Sequence, residues 1–501
     1  MRSTSAKPLL WAVFIIYVVL FCFAMYRHEL WGDEYHSWNI AKASKTVWEL
    51  LSNIRYEGHP PLWYLILFTI SKFTHNLGGI QAVHLCIVIV AIFILLLHSD
   101  IPVASRIWMP FGYYLLFEFT LLSRNYAIGL LLAFCICMII RRQFRGKLLL
   151  YYLLLFLLTN THLLGIFLAG SLHLYFLIYR AEQKEKAGLL VLHGVLGILL
   201  AIPALSFVFP PSDSVLNPQF FSNRWQLKQQ VATIVLAPLR ALMPIPVWWD
   251  GHFWNTQFLI DAQRPYPVLK IVNPILSLGL LVMVYFILRG NKKSLLLFGV
   301  NLLLTFVTAA IFPLTSARYV GFIYIGFIVA YWLYASETPT TLVGRRLAGI
   351  LVALQLAGGV IAVTKDIRYP FSNAYRAHGL FSEVPPSDKI VTDYWCLNVL
   401  SAFIDKPFYC VDLGQEVTFL KWKADVFKPI VNGESAHYNG MMKYMADNRL
   451  RYVYFMTIYS PAALLKLDPQ FVDCFKLELI DKREGAIEKY GDLYLYRVRE
   501  K

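Results

Sequence analysis

Twelve apolar runs recur along the chain, at about 9–26, 60–73, 80–98, 103–122, 123–140, 148–160, 163–180, 188–209, 267–288, 294–312, 318–335 and 347–364. Crossing a bilayer takes roughly 20 mostly apolar residues, and only helices or closed barrels can satisfy their own backbone there. Runs of this length, with 58% of residues hydrophobic and only 15% charged, exclude a soluble protein and predict an all-α polytopic membrane domain. The first run is long for a signal-peptide core and has no small-x-small cleavage site, so it reads as a retained anchor helix in a chain that starts near Met1.

Lys and Arg outnumber Asp and Glu by 46 to 31. The excess lies in short loops between apolar runs, at RRQFRGK (141–147), YRAEQKEK (179–186), RGNKK (289–293) and GRR (344–346). Such placement marks cytoplasmic loops rather than a nucleic-acid surface. With Arg2 and Lys7 also inside, parity puts every basic loop on one side if one segment between 27 and 140 does not cross. The shortest is HPPLWYLILFTISKF (59–73), which opens on a His and two prolines and reads as an interfacial or re-entrant helix on the outer face. The expected domain, residues 1–364, thus has about 11 transmembrane helices plus interfacial helices, with outer loops at 27–79 and 210–266.

From 365 to 501 the composition changes. Period-two stretches DKIVTDY (388–394), PFYCVDL (407–413), RYVYFMTI (451–458) and DLYLYRV (492–498) predict strands, with a helix over 433–450. This predicts a small extracytoplasmic α/β domain. Four of the seven cysteines lie in apolar runs; Cys396 and Cys410 are spaced so that a disulfide is one option and free thiols the other. No Walker or dinucleotide motif occurs, so nucleotide binding has no support.

On this topology the ionisable residues near apolar sequence gather on the outer side. WGDEYHSWNIAKASK (31–45) sets Asp33 and Glu34 directly after the first helix. Asp33 there reads either as the N-cap of an amphipathic helix or as a general base held near an acceptor hydroxyl. GHPPLWY (58–64) adds His59, FEFTLLSRNYAIGLLL (117–132) adds Glu118, Arg124 and Tyr126, NTHLLG (160–165) adds His162, and FPLTSARYVGF (312–322) adds Arg318 and Tyr319. For each there is a plain structural reading: ion pairing across a turn, a satisfied buried His, or an Arg snorkelling to the interface. An Arg beside a Tyr at headgroup depth also suits an anionic phosphate. Tryptophans 31, 38, 48 and 63 and the stretch VWWDGHFWN (247–255), with Asp250 and His252, fit an interfacial aromatic belt; one or two would also serve as a platform for sugar rings.

The order of these motifs, DE after a first helix, HPP before an amphiphilic helix, RNYA, THLLG, RY and an outer C-terminal domain, resembles the GT-C membrane glycosyltransferases. The likeness is to the bacterial branch similar to protein O-mannosyltransferases and the aminoarabinose transferase that modifies lipid A, and it spans about the first 365 residues. It implies a GT-C type fold in a bacterial inner membrane, N-terminus cytoplasmic and C-terminal domain periplasmic. It also implies transfer of a sugar, with inversion, from a polyprenyl-phosphate carrier to a lipid, glycan or protein acceptor on the outer face. In that reading Asp33 is the catalytic base; Arg124, Arg318, Tyr319 and Tyr126 hold the donor phosphate; and Glu34, His59, Glu118 and His162 position substrate. The family often has a second acidic residue in the next outer loop. SRNYA has none, which leaves a divalent metal requirement open, and no Cys and His spacing suggests a metal site.

Two other classes fit a polytopic chain. A transporter or flippase of a lipid-linked sugar predicts paired repeats and broken helices at the midplane, and neither is visible. An O-antigen polymerase or ligase would not place DE just after the first helix and HPP after it.

Overall fold

The computed structural model describes residues 6–217, 227–311, 316–404, 406–427 and 436–501. Among them, eight helices are long and apolar enough to cross a membrane: α1 (Lys7–Arg27), Gly78–His98, Leu163–Glu182, Ala187–Val208, Leu269–Leu288, Lys292–Ile311, Ala317–Glu337 and Leu342–Arg368. Ala317–Glu337 is buried over most of its length and forms the centre of the bundle, whereas Ala187–Val208 lies at its rim. Between α1 and Gly78–His98 run α2 (Gly32–Ala43), α3 (Val47–Ile54) and α4 (Leu62–Ser71). At 10 residues α4 is too short to cross, as its two leading prolines and parity predict, and it packs on α2.

Three of the expected crossings are built differently. Residues 103–122 are not one helix. A turn of helix at Val103–Arg106 gives way to a 3-10 turn at Met109–Phe111 and a π turn at Tyr114–Glu118. Pro110 and Gly112 break the helix, and the irregular backbone is tolerated because residues 112–130 are buried inside protein. It nests on Leu342–Arg368, where a Cβ at Gly359 would overlap the carbonyl oxygen of Phe111 and one at Gly358 that of Pro244. Expected crossings 123–140 and 148–160 appear as the shorter helices Tyr126–Ile139 and Lys147–Thr159. The expected outer loop 210–266 also contains a helix, Leu227–Leu242, that packs against Leu269–Leu288 and Ala317–Glu337. There Ser277 Oγ donates to the Val235 carbonyl at 2.5 Å.

At one end of the bundle the basic loops meet. Glu337 accepts from Lys293 Nζ at 2.9 Å, Asn291 Nδ2 at 2.7 Å and Tyr175 OH at 2.7 Å, joining the ends of three helices. At the other end sits a six-stranded sheet in the order β3-β2-β1-β4-β6-β5. Its strands are β1 (Ile390–Thr392), β2 (Phe408–Cys410), β3 (Gln415–Val417), β4 (Val453–Thr457), β5 (Phe475–Arg483) and β6 (Leu493–Glu500). β1 runs parallel to β2 and β4, and the other pairings are antiparallel. The four predicted strands are present, with helix Ala436–Asp447 where one is expected; residues 433–435 of that prediction lie outside the described residues. Cys396 and Cys410 are buried free thiols.

The glycine contact gives a direct test. Gly359→Ala should lower the thermal midpoint of the purified protein in detergent, because backbone must move to admit the methyl, at about 1–3 kcal/mol for overpacking. Gly349→Ala, on the same helix with nothing within 4 Å of the added carbon, should leave the midpoint unchanged or raise it. Equal behaviour of the two variants would contradict the packing.

Candidate active site

Asp33 sits in the first turn of α2, and the N-cap of that helix is Trp31. The capping reading of Asp33 is therefore not what the structure shows. Glu34 does that work instead: its Oε2 accepts from the Trp31 backbone N–H at 2.9 Å, and its other oxygen accepts from the backbone N–H of Ser123. Glu34 is 1% exposed, and burial holds its carboxyl above the ordinary range. It fastens α2 to the 119–125 segment and leaves Asp33 facing outward.

Two guanidinium groups from distant parts of the chain meet Asp33. Arg318 Nη1 donates to Asp33 Oδ2 at 3.1 Å, and Arg124 Nη2 lies 3.7 Å from the same oxygen. Arg124 Nη1 also donates to the Asp33 carbonyl at 2.6 Å and to Ser37 Oγ at 3.2 Å. The Asp33 side chain is 41% exposed, while those of Arg124 and Arg318 are 8% and 15% exposed. Among the described residues no acceptor reaches the buried Nε of either arginine. Although burial pushes the Asp33 carboxyl up, Arg124 and Arg318 outweigh it and hold its pKa below the ordinary carboxylate range. Two cations against one anion leave a net positive site with donors to spare, which suits a phosphate.

Each arginine has its own support. Arg318 opens the Ala317–Glu337 helix, and Asn255, from the segment between Leu227–Leu242 and Leu269–Leu288, caps that helix start. Its Oδ1 accepts from Ser316 Oγ at 2.7 Å and from the Ala317 N–H at 3.0 Å. Asn255 reaches this pose with φ of +62°, a left-handed conformation that Asn tolerates better than most residues. The guanidinium of Arg318 lies over Trp31 at 4.9 Å and Trp254 at 5.6 Å. Glu118 is 1% exposed; it accepts from Trp254 Nε1 at 3.0 Å and Tyr113 OH at 2.9 Å. Glu118 thus holds Trp254, over whose ring the Arg318 guanidinium lies. Tyr319 lies beside its neighbour's guanidinium at 5.4 Å.

The two candidate histidines come together on the Arg124 side. His162 caps Leu163–Glu182, its Nδ1 accepting from the Gly165 N–H at 2.9 Å, and its ring packs 4.9 Å from that of Tyr126. Burial, with His59 nearby, holds His162 neutral, its pKa well below the ordinary value. Burial and then Arg124 bring His59 down to about 3. Both are neutral imidazoles at any physiological pH, so neither adds a cation to the site.

Several residues join the site that the motifs did not single out. His36 Nε2 lies 2.9 Å from Glu57 Oε2 and its Nδ1 3.3 Å from Asn398 Oδ1. Asn398 belongs to helix Tyr394–Ile404, which follows β1 and lies on α2; Asn39 Nδ2 donates to its carbonyl at 2.8 Å. Glu488, from the turn between β5 and β6, lies close enough to feel the charges of Asp33 and Arg318. Burial lifts its carboxyl to about 7, and the Asp33 charge adds to the rise. His36 stands inside the DE motif, and Trp254 and Asn255 close VWWDGHFWN, so all three were within view; no local signal marks Glu488. Among the described residues no group of three or more His, Cys, Asp and Glu side chains is arranged to hold a metal ion.

No family model and no curated protein matches the sequence. Among solved structures the chain is similar to ArnT from Cupriavidus metallidurans in the apo state, with a TM-score of 0.52 and 11% identity over 99% of this chain and 98% of that one. The same protein bound to undecaprenyl phosphate superposes with a TM-score of 0.49 and 12% identity over the same shares. The GT-C resemblance read from the order of motifs is borne out as a fold, and it extends through the C-terminal sheet.

Two measurements check this geometry. Thermal midpoints should fall in the order wild type, Asn255→Gly, Asn255→Ala: glycine loses the hydrogen bonds to Ser316 and Ala317, about 1–3 kcal/mol, and alanine adds the strain of a left-handed backbone. For Glu488, a folded pKa of about 7 means the native state keeps a proton the unfolded chain has lost. Its contribution to stability is greatest below the ordinary carboxyl range and falls as pH rises to about 7. Glu488→Gln should flatten that fall in the thermal midpoint between pH 4.5 and 7.5; an unchanged slope would contradict the assigned environment.

Proposed function

We propose that the chain is an integral membrane glycosyltransferase, which moves a sugar from a polyprenyl-phosphate carrier to an acceptor on the outer face of a bacterial inner membrane, with inversion. The observation that carries this reading is the pairing of a half-exposed carboxylate, Asp33, with two largely buried guanidinium groups at the end of the bundle where the sheet sits. The fold-level likeness to ArnT and the motif order support it. The opposite, basic end of the bundle is the cytoplasmic one in this reading, and the sheet is periplasmic.

Arg124 and Arg318 bind the phosphate of the donor, drawing on donors that Asp33 leaves unused. As the phosphate takes up their charge, Asp33 is released from the pair and accepts the proton of the acceptor hydroxyl. The hydroxyl oxygen forms a bond to the anomeric carbon while the bond from that carbon to the phosphate oxygen breaks. The polyprenyl phosphate leaves with the electron pair on an oxygen facing the arginines. A single displacement of this kind inverts the anomeric centre. Tyr126 and Tyr319 stand beside the phosphate position, and neutral His59 and His162 fill the Arg124 side without competing for the anion. Glu34 and Glu118 are positioning residues, acting through Ser123 and Trp254. The gathering of charge at one end, rather than at mid-membrane, favours surface chemistry over transport.

The test is transfer of radiolabel from a panel of polyprenyl-phosphate sugars in membranes holding matched amounts of each variant. Asp33→Asn should lower transfer by about 10²–10⁴-fold, as loss of a general base does, with donor binding kept. Arg318→Gln should lower it by about 10²–10³-fold and raise the donor KM. Transfer by Asp33→Asn at the wild-type rate would remove Asp33 as the base.

A further inference from the structure

Above Asp33 lies a pocket enclosed on one side by α2 and on the other by the sheet. Its position in the sheet is informative. β1 is flanked by β2 on one side and β4 on the other, both parallel to it; the chain leaves β1 toward β2 and leaves β4 toward β5 and β6, so the connections from these two neighbouring strands run in opposite directions. In open α/β sheets the crevice at the carboxyl ends of such strands is where ligands bind. Asp393, which follows β1, ties the carboxyl ends of β1 and β4 together at this point. Its carboxylate accepts from Thr457 Oγ1 at 2.5 Å and the Ile458 N–H at 3.1 Å, at the end of β4, and from the Cys396 N–H at 2.7 Å. Tyr394, Trp395 and Ile458 then face the pocket, and the same pocket reaches down to Trp31, Asp33 and His36.

The β5–β6 turn completes the enclosure. It is pinned to the chain just after the last membrane helix: the Ile487 N–H donates to the Pro370 carbonyl and the Glu488 N–H to that of Phe371, both at 2.9 Å, and the Asn373 N–H to that of Gly491 at 3.0 Å. This places Glu488, 8% exposed, and Tyr490 on the pocket wall. Tyr490 stacks on Trp395 with ring centres 4.4 Å apart and planes 12° from parallel. Trp422 is on the wall too, stacked on Phe427. The wall thus carries aromatic faces, two carboxyl groups and the amide of Asn398, and no lysine or arginine is among its residues. Arg124 and Arg318 touch Asp33 without lining this space.

We infer that the pocket is the acceptor subsite and that the acceptor is a sugar ring carrying no phosphate at the end it presents, held on its face by Trp395, which Tyr490 backs, and at its hydroxyls by Glu488 and Asn398. Aromatic rings meet the C–H face of a sugar, and carboxyl and amide groups meet its hydroxyls. A phosphate or carboxylate acceptor would instead face Glu488 and Asp33 with no cation on the wall. One ring hydroxyl comes to Asp33 from the side opposite the arginines, as displacement at an anomeric carbon held between them requires. This inference rests on the glycosyl-transfer reading for the role of Asp33 but not for the binding itself.

The experiment uses the full-length protein in lipid nanodiscs and saturation-transfer difference NMR with methyl glycosides of common hexoses, pentoses and amino sugars, against inorganic phosphate as competitor. At least one glycoside should bind with a dissociation constant on the order of 1–10 mM, as expected for a ligand of about a dozen heavy atoms. Trp395→Ala should abolish the signal and Glu488→Gln weaken binding at least fivefold, with the Glu488→Gln protein shown to be folded by its thermal transition. Phosphate should not displace the glycoside. Binding by no glycoside, displacement by phosphate, or wild-type binding in Glu488→Gln would each overturn the inference. In the transfer assay with the glycoside as acceptor, Glu488→Gln should raise the acceptor KM at least fivefold and leave the donor KM unchanged; the reverse split would assign the pocket to the donor sugar and overturn it. If Asp33→Asn transfers normally while Glu488→Gln loses glycoside binding, the base assignment fails and the sugar pocket stands.

Discussion

One carboxylate held between two largely buried guanidinium groups is the contact on which the sheet end of this molecule is built. Asp33, Arg124 and Arg318 come from α2, from the segment before Tyr126–Ile139 and from the central helix Ala317–Glu337, so the cluster ties three parts of the bundle at one point. Taking these cations out of water is costly, and the surroundings offset it with Asp33, the Asp33 carbonyl, Ser37 and the faces of Trp31 and Trp254. The compensation is incomplete, since both Nε groups lack an acceptor among the described residues. An arrangement that stores unsatisfied donors around an excess of positive charge is poised for an anion.

The supporting elements make sense as consequences of that requirement. Asn255 fixes the start of the helix that carries Arg318, Glu118 fixes the tryptophan against which its guanidinium lies, and Glu34 fixes the helix that carries Asp33. The broken segment 103–122 serves the same end, because a straight helix there could not bring Glu118 and the 119–125 backbone under α2 while nesting on Gly358 and Gly359. The sheet is joined to the site rather than appended to it. Helix Tyr394–Ile404 lies on α2, and the β5–β6 turn pairs with residues 370–373.

Much of this was legible in the chain. Ionisable residues are rare in membrane sequence and expensive unless used, so Asp33, Arg124 and Arg318 stood out against their apolar neighbours. The basic loops alone sort them to one face. Hydropathy could not distinguish a helix from a buried irregular segment over 103–122, since burial in protein and burial in lipid ask for the same side chains. Glu34 and Glu118 looked like candidates for substrate contact for the same reason that Asp33 did; only the structure shows that their carboxylates are taken up by Trp31, Ser123, Trp254 and Tyr113. Glu488 stood out least, because in a charged tail one more acidic residue carries no signal, and its place above Asp33 is set by sheet topology and by pairing with a segment more than 100 residues earlier in the chain.

The claim that Asp33 occupies the arginines in place of a lipid phosphate is tested most directly by electron cryomicroscopy of the full-length protein in nanodiscs with a polyprenyl phosphate added. The expected result is phosphate density within hydrogen-bonding distance of both Arg124 and Arg318, with the Asp33 carboxylate turned away from Arg318 toward the pocket beneath the sheet. Phosphate bound elsewhere, with the Asp33 and Arg318 pair intact, would contradict it.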